Sequence, residues 1–126
     1  MDANDWAELS HFTREEFDSK DVPGSGNNMD LEFMRLVDDI RADADIPFHI
    51  NSGYRTKEHN KKIGGRSRSA HLLGLACDIR CRSDRARYKI VATAIQYGIN
   101  RILIYPTFIH IDTHPTHKQE IMVING

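Results

Sequence analysis

Apolar residues recur every three or four positions in two stretches of the chain. After Asp30 they are Phe33, Val37, Ile40 and Ala44. This spacing predicts an amphipathic helix of about 13 residues that ends before Pro47. After Ser83, a favourable N-cap, they are Ala86, Ile90, Val91, Ala94 and Ile95, which predicts a second helix closed by Gly98. A shorter helix is predicted over 56–63, where a pair of glycines stops it.

The first 28 residues are predicted to form an N-terminal arm and a joint. Thr13 and Glu16 have the spacing of a capping box. Phe12 and Phe17 can pin the capped turn onto the body of the domain. The stretch 22–28 contains glycine, proline and asparagine, and it predicts a flexible joint between the arm and the body.

Short apolar runs predict the strands of a small sheet. Strands are predicted over 48–50, 75–81, 101–105, 108–112 and 120–124. Within 75–81 the residues alternate, so that the two cysteines face the core and Asp78 faces away from it. Helices that precede a small sheet, with one helix between strands, predict an α+β fold. We expect a single compact domain over 1–126, with an antiparallel sheet flanked by helices.

The length and the net charge of the chain exclude some classes of protein. A chain of 126 residues suits one domain whose core needs no structural metal. Lysine and arginine number 17 against 18 acidic residues, and the net charge of −1 argues against a generic binder of nucleic acid or of membrane surfaces. No apolar run approaches the roughly 20 residues of a membrane span. We therefore expect no nucleic-acid partner, no membrane partner, and a monomer.

The two cysteines, Cys77 and Cys81, lie four residues apart in a predicted strand. At a rise of about 3.3 Å per residue, this separation is beyond disulfide reach. Two thiols at this spacing also fall short of a zinc ribbon. They are predicted to be reduced, buried and unconnected to any metal.

Histidine and aspartate recur in two regions of the sequence. His71 is followed by a glycine bend and then by Asp78. His110 and Asp112 lie two residues apart in a predicted strand, so both project from one face. Two imidazoles and one carboxylate leave a fourth tetrahedral position open for water, as in catalytic zinc sites. The competing interpretation is a buried network of His–Asp hydrogen bonds.

Four motifs, in this order along the chain, resemble a known family. They are HFTxxEF at 11–17, SGYR at 52–55, SxHxxGxAxD at 69–78 and HID at 110–112. Together they resemble the zinc D-Ala-D-Ala carboxypeptidase family of peptidoglycan peptidases, and the first resembles its small branch in bacterial and phage genomes. The resemblance covers most of the chain and implies the fold that these enzymes share with the hedgehog signalling domain.

The resemblance also implies a set of site residues. His71, Asp78 and His110 are implied to bind Zn²⁺. Arg55 is implied to hold the substrate carbonyl or the oxyanion formed from it. A guanidinium suits this role because it stays charged and can donate two hydrogen bonds to developing negative charge.

The general base is where the sequence departs from better-known members of the family. They place an acidic residue three positions before the last ligand, or a histidine two before it, and here those positions hold Thr107 and Phe108. Asp112 is the nearest replacement and can take a proton from the attacking water. Its alternative role is to accept the free imidazole N–H of a ligand. His114 is the next candidate base along the chain.

Further residues are candidate substrate contacts. Ser69 is implied to touch substrate or a metal ligand, and the alternative is an ordinary loop serine. Tyr54 is expected to contact substrate. A basic cluster can attract the carboxylates of peptidoglycan stem peptides. It consists of Arg55, Lys57, Lys61, Lys62, Arg66 and Arg68. Its alternative is a solvated helix face.

These expectations lead to one main function and two alternatives. The main one is a zinc-dependent D,D-carboxypeptidase or endopeptidase that cleaves a bond involving a D-amino acid in peptidoglycan. The first alternative is a non-catalytic, zinc-stabilised binding module, and the second is a DNA-associated phage protein, which the near-neutral charge disfavours. Residues 1–10 lack a secretory signal. We therefore expect cytoplasmic synthesis of a phage or prophage lysis enzyme that reaches the cell wall after release.

Overall fold

Five strands form one sheet, which carries three of the candidate site residues, Asp78, His110 and Asp112. The computed structural model describes residues 1–125, so Gly126, the last residue of the predicted domain, lies outside the described residues. The strands are β1 (Ile50–Ser52), β2 (Ala76–Arg80), β3 (Arg101–Ile104), β4 (Phe108–Asp112) and β5 (Ile121–Ile124). Their order across the sheet is β1-β2-β4-β3-β5. Four of the predicted strands match closely, whereas β1 begins two residues later than the prediction.

The sheet is antiparallel except at one edge. β1, β2, β4 and β3 pair antiparallel in turn, as predicted. β5 instead pairs parallel with β3, with Arg101 opposite Ile121. The short connection 113–120 explains this pairing. The end of β4 lies beside the start of β3, and β5 starts near the same point, so that it runs in the same direction as β3. The predicted antiparallel sheet is thus confirmed for four of its strands, and the last strand adds one parallel pair at the edge.

The helices and the sheet together form an α+β fold, as predicted. They are α1 (Ala3–Glu8), α2 (Arg14–Phe17), α3 (Leu31–Ala44), α4 (Lys57–Lys62) and α5 (Asp84–Gln96), with 3-10 helices at Ser25–Asn28 and Ala70–Leu73. Ser83 caps α5 as expected by accepting from the amide of Ala86, and Asp30 caps α3 in the same way by accepting from the amide of Phe33. α1 was not predicted, although Asp2 and Asp5 form a capping box at its start. None of the helices in residues 1–125 has the length and apolar character of a membrane span.

The core lies between one face of the sheet and the helices α3 and α5, together with the N-terminal arm. Cys77 and Ile79 of β2 and Ile109 and Ile111 of β4 are fully buried in it. Cys77 and Cys81 are free and buried, as predicted. The strand alternation thus confirms that the thiols point to the core, and it leaves the opposite face of β2 and β4 for polar side chains.

The segment expected to be a flexible joint is folded against the arm. Asp18 accepts hydrogen bonds from the amides of Gly24, at 3.0 Å, and Gly26, at 2.7 Å. Ser25 and Gly26 are buried. A side chain at Gly26 would meet the backbone oxygen of Arg14, so the absence of a Cβ allows this close approach. Glycine-rich sequence therefore serves tight packing here.

Candidate metal centre

Three side chains from three parts of the chain converge on the polar face of the sheet. His71 comes from the second 3-10 helix, Asp78 from β2 and His110 from β4. One ligand atom from each lies within 4.8 Å of those of the other two. Asp78 Oδ1 is 3.2 Å from His71 Nε2 and 2.9 Å from His110 Nδ1. The structure thus brings together the three residues expected to be ligands.

Local sequence explains how each side chain reaches this point. Antiparallel pairing of β2 and β4 places Asp78 directly opposite His110. His71 is held differently, because Ser69 Oγ caps its short helix by accepting from the His71 amide at 3.2 Å. Gly74 then turns the chain into β2 with φ of +70°, and a side chain there would overlap the carbonyl oxygen of Asn28. Glycine is required at this bend on both counts.

Both imidazoles are oriented by an acceptor on their far nitrogen. His71 Nδ1 donates to the carbonyl oxygen of Gly53 at 2.7 Å. His110 Nε2 donates to Asp112 Oδ2 at 2.6 Å. When the nitrogen nearer Asp78 is deprotonated, each ring would present a lone pair to that side, which is the arrangement of metal-binding histidines; when it is protonated, that nitrogen donates to Asp78 instead. Two imidazole nitrogens and a carboxylate oxygen are donors that suit zinc, so the residues present fit a zinc ion.

The charges at this centre are strongly coupled. Burial acts to raise the pKa of Asp78, but hydrogen bonds from His110 and His71 outweigh it and hold the pKa below the usual range. Burial acts to lower the pKa of His110, yet its bonds to Asp112 and Asp78 raise the pKa to about 8. For His71, burial prevails and lowers the pKa. The buried carboxylate therefore favours a positive charge beside it, from a proton or from a metal.

Arg55 lies beside the three convergent side chains. Its Nη2 atom is 3.2 Å from Asp78 Oδ2, and its Nε donates to Ser52 Oγ at 3.0 Å. Its Nη1 donates to Asn60 Oδ1 at 3.3 Å. Asn60 is buried in α4, and its Nδ2 donates to the backbone oxygen of Arg66 at 2.9 Å. Sequence reasoning missed Asn60, because one asparagine in a polar helix carries no signal of burial.

Asp112 is engaged on both carboxylate oxygens. Oδ2 accepts from His110 and also from Arg101 Nε at 3.0 Å. Oδ1 accepts from the amide of His114 at 2.9 Å. Burial acts to raise the pKa of Asp112, but these bonds and the charge of Arg101 lower it overall. This arrangement favours the role of holding His110 over that of a general base. Arg101 was also missed, since its position at the start of β3 is unremarkable in sequence.

The remaining candidates divide between the site and the core. Ser69 lines the cavity, with its hydroxyl used as a cap. Tyr54 packs against the core and does not line the cavity that the described residues 1–125 form. His114 is buried, and its Nδ1 accepts from the amides of Thr116 and His117. These contacts hold His114 in the loop after β4, where it stacks on the ring of His117 at 3.5 Å.

A cavity of about 450 Å³ lies in front of the convergent side chains. One wall is apolar and is formed by Leu103, Tyr105, Phe108 and Val123. Tyr105 and Phe108 stack there, with ring centroids 4.3 Å apart. Another part of the lining is basic, with Arg55, Arg66, Arg101 and His117. Of the exposed cluster predicted around Arg55, only Arg66 lines this cavity among the described residues.

Comparison with known proteins gives one finding. The family model described as Peptidase M15 matches residues 10–112. This span contains the three convergent side chains, Arg55 and Asp112. No curated protein matches the chain.

Proposed function

Because the chain belongs to the Peptidase M15 family, whose members are zinc-dependent metallopeptidases, we propose that it hydrolyses a peptide bond involving a D-amino acid in bacterial peptidoglycan. The observation that carries this proposal is the convergence of two oriented imidazoles and one buried carboxylate within 4.8 Å. The products expected are those of a D,D-carboxypeptidase or of an endopeptidase.

His71, Asp78 and His110 would hold the zinc ion through Nε2, a carboxylate oxygen and Nδ1. Zinc held by three protein ligands supplies Lewis-acid polarisation of a carbonyl and lowers the pKa of water to about 7. The Gly53 carbonyl and the Asp112 carboxylate keep the two imidazoles in the orientation this requires. Loss of such outer partners weakens metal sites even when every ligand remains.

Arg55 supplies a fixed positive charge next to this centre. Its hydrogen bonds to Ser52 and Asn60 hold the guanidinium in place before substrate binds. We propose that it binds the carbonyl oxygen of the scissile peptide and stabilises the negative charge that develops there. Preorganised donors of this kind lower the barrier because they need not reorient during reaction.

The cavity walls support a peptide substrate of this class. Small apolar groups, such as the methyl group of D-alanine, can lie on the wall formed by Leu103 and the stacked ring of Phe108. Arg66 and Arg101 provide positive charge for the carboxylates of a stem peptide. A cavity with an apolar wall and a few convergent polar groups is typical of ligand sites.

Incubation of zinc-loaded protein with purified muropeptides tests the proposal. Loss of a terminal D-alanine in the mass spectrum identifies a carboxypeptidase, whereas cleavage of cross-links or of the stem identifies an endopeptidase. The His71→Ala variant is the matched control, because it lacks a proposed ligand. An intact muropeptide panel after treatment with zinc-saturated protein would contradict the proposed activity.

A second candidate is a zinc-stabilised binding module without catalysis. Two observations favour it: Thr107 stands at a position where better-known members carry an acid, and both oxygens of Asp112 are engaged. This candidate predicts zinc-dependent binding of stem peptides without any cleavage. Calorimetry with muropeptides, run beside the mass analysis, separates the two functions.

A further inference from the structure

The N-terminal arm packs directly against the segment that carries Arg55. The carbonyl oxygen of Phe17, at the end of α2, accepts from the amide of Tyr54 at 2.9 Å. Ser19 Oγ accepts from the amide of Thr56 at 3.1 Å. The arm therefore fixes the backbone of residues 53–56 from one side.

Gly53 lies in direct contact with the arm. A Cβ at this position would be 2.5 Å from Phe17 Cδ1 and 2.7 Å from Phe17 Cα. Only glycine leaves room for the aromatic ring and the backbone of α2 at this distance. The position of Phe17 thus sets the position of the Gly53 peptide.

The other side of the same segment holds His71. The Gly53 carbonyl accepts from His71 Nδ1 at 2.7 Å. The Arg55 amide donates to the backbone oxygen of His71 at 3.1 Å. Both the ring and the backbone of this proposed ligand are therefore bound to residues 53–55, which the arm holds in place.

Phe17 is itself anchored within the arm and the core. It is fully buried, and Phe12 meets its ring edge-on at a centroid distance of 5.4 Å. Trp6 lies 5.8 Å from it on another side. Thr13 and Glu16 form the predicted capping box at the start of α2. A small displacement of Phe17 is consequently opposed by the whole arm and passed on to Gly53.

We propose that Phe17 is a positioning residue for the metal centre, which acts through its contact with Gly53 to fix the carbonyl that orients His71. The inference rests on the proposed metal centre but not on peptidase activity. It gives the arm a role in metal affinity that is separate from its contribution to folding.

The test compares zinc affinity in Phe17→Leu and Gly53→Ala with that in Phe33→Leu. Phe33 is buried in α3, the helix that contacts α5, so this control also removes aromatic volume from the core. Competition with a chromophoric chelator gives the zinc affinity, and the visible spectrum of bound Co²⁺ reports the ligand geometry. Urea unfolding of the metal-free variants measures the loss of stability separately.

Phe17→Leu and Gly53→Ala should each lower zinc affinity by about tenfold, the cost of disturbing an outer partner of a ligand, and should alter the Co²⁺ spectrum. The double variant should lose less than the product of the two single losses, because both changes act on one contact. Phe33→Leu should lose stability while its zinc affinity and Co²⁺ spectrum stay those of the wild type.

Equal zinc affinities in Phe17→Leu and the wild type, or equal losses in Phe17→Leu and Phe33→Leu, would overturn the inference. If Phe17→Leu does not fold, Ser19→Ala replaces it, since it removes the acceptor of the Thr56 amide together with the hydroxyl that donates to Asp21 Oδ1. A weaker zinc affinity in Ser19→Ala supports the inference, and an unchanged one contradicts it. A wild-type protein that binds no zinc, or binds it as tightly as His71→Ala does, contradicts the metal centre itself.

Discussion

The two histidines of the proposed centre are held in different ways. His110 lies on a strand in the middle of the sheet, directly opposite Asp78. His71 lies on a short 3-10 helix, and its ring depends on a carbonyl from another segment. We call Asp78 and His110 the sheet side of the centre and His71 its loop side. The sheet side is fixed by strand alternation and register, whereas the loop side is fixed by tertiary contacts. Variants on the two sides should therefore fail in different ways.

Removal of a proposed ligand should have the largest effect on either side. His71→Ala and His110→Ala should each weaken zinc binding by more than about 100-fold, because loss of a ligand exceeds the usual cost of losing its outer partner. Elemental analysis after dialysis measures the zinc content. His49→Ala, a change at an exposed histidine, is the control and should keep full occupancy. Full zinc content in His71→Ala would remove the loop side from the centre.

Gly74→Ala should break the loop side through the backbone. Gly74 combines φ of +70° with a close approach to Asn28, so the variant should lose about 3 kcal/mol of unfolding free energy. Gly64→Ala is a matched control, because Gly64 has φ of +75° with open space around it, and only about 1 kcal/mol of strain is expected. Urea denaturation measures both. Equal losses of unfolding free energy in the two variants would show that the close approach of Gly74 to Asn28 does not contribute to stability.

Asp112→Asn tests how the sheet side is oriented. If Asp112 holds His110, the variant should bind zinc about tenfold more weakly and recover most of its turnover at saturating zinc. If Asp112 is the general base, turnover should instead fall by roughly 100-fold with zinc fully bound. Titration of activity against free zinc distinguishes these results. The second pattern would contradict the orienting role that its hydrogen bonds indicate.

The pH dependence of the zinc-free protein should report on His110. Its pKa of about 8 exceeds the ordinary value of 6.5, so its contribution to stability is fully present below pH 6.5 and is lost as pH rises through about 8. Zinc must displace this proton, so zinc affinity should rise with pH up to about 8. Chelator competition from pH 6 to pH 9 measures the trend. A flat profile would show that His110 carries no proton in the zinc-free protein.

The smallest effect on zinc binding and stability is expected for a substitution on the core face of the sheet. Cys77 is fully buried on the face opposite Asp78, and Cys77→Ala should cost about 1 kcal/mol through lost packing. Zinc content should stay unchanged, because the strand alternation directs the thiol away from the centre. Urea unfolding and elemental analysis check the two halves of this prediction. Loss of zinc in a folded variant would contradict the observed register of β2.

Sequence patterns predicted the sheet side more completely than the loop side. Alternation in β2 and β4 was enough to place Asp78 and His110 on one face and the cysteines on the other. The parallel pairing of β5 was missed, because it depends on where the preceding strand ends in space. Asn60 and Arg101 were missed for a related reason. Their partners are distant in sequence, and only the fold brings them together.

Sequence patterns are also limited for the N-terminal arm, which holds the segment that orients His71 on the loop side. The capping box at Thr13 and the burial of Phe12 and Phe17 followed from local sequence. The contact between Phe17 and Gly53 did not, since a glycine within SGYR reads as a turn until its neighbours are known. The sequence of 22–28 predicts a flexible joint for a similar reason, although Gly26 allows close packing against the arm.

Anomalous diffraction at the zinc absorption edge, from crystals grown with one equivalent of zinc, shows directly whether His71, Asp78 and His110 bind the metal. We expect one peak per chain at about 2.0–2.2 Å from His71 Nε2, a carboxylate oxygen of Asp78 and His110 Nδ1. His110 Nε2 should still be bonded to Asp112. A peak at any other set of residues, or no peak in this centre at full zinc loading, would contradict this expectation.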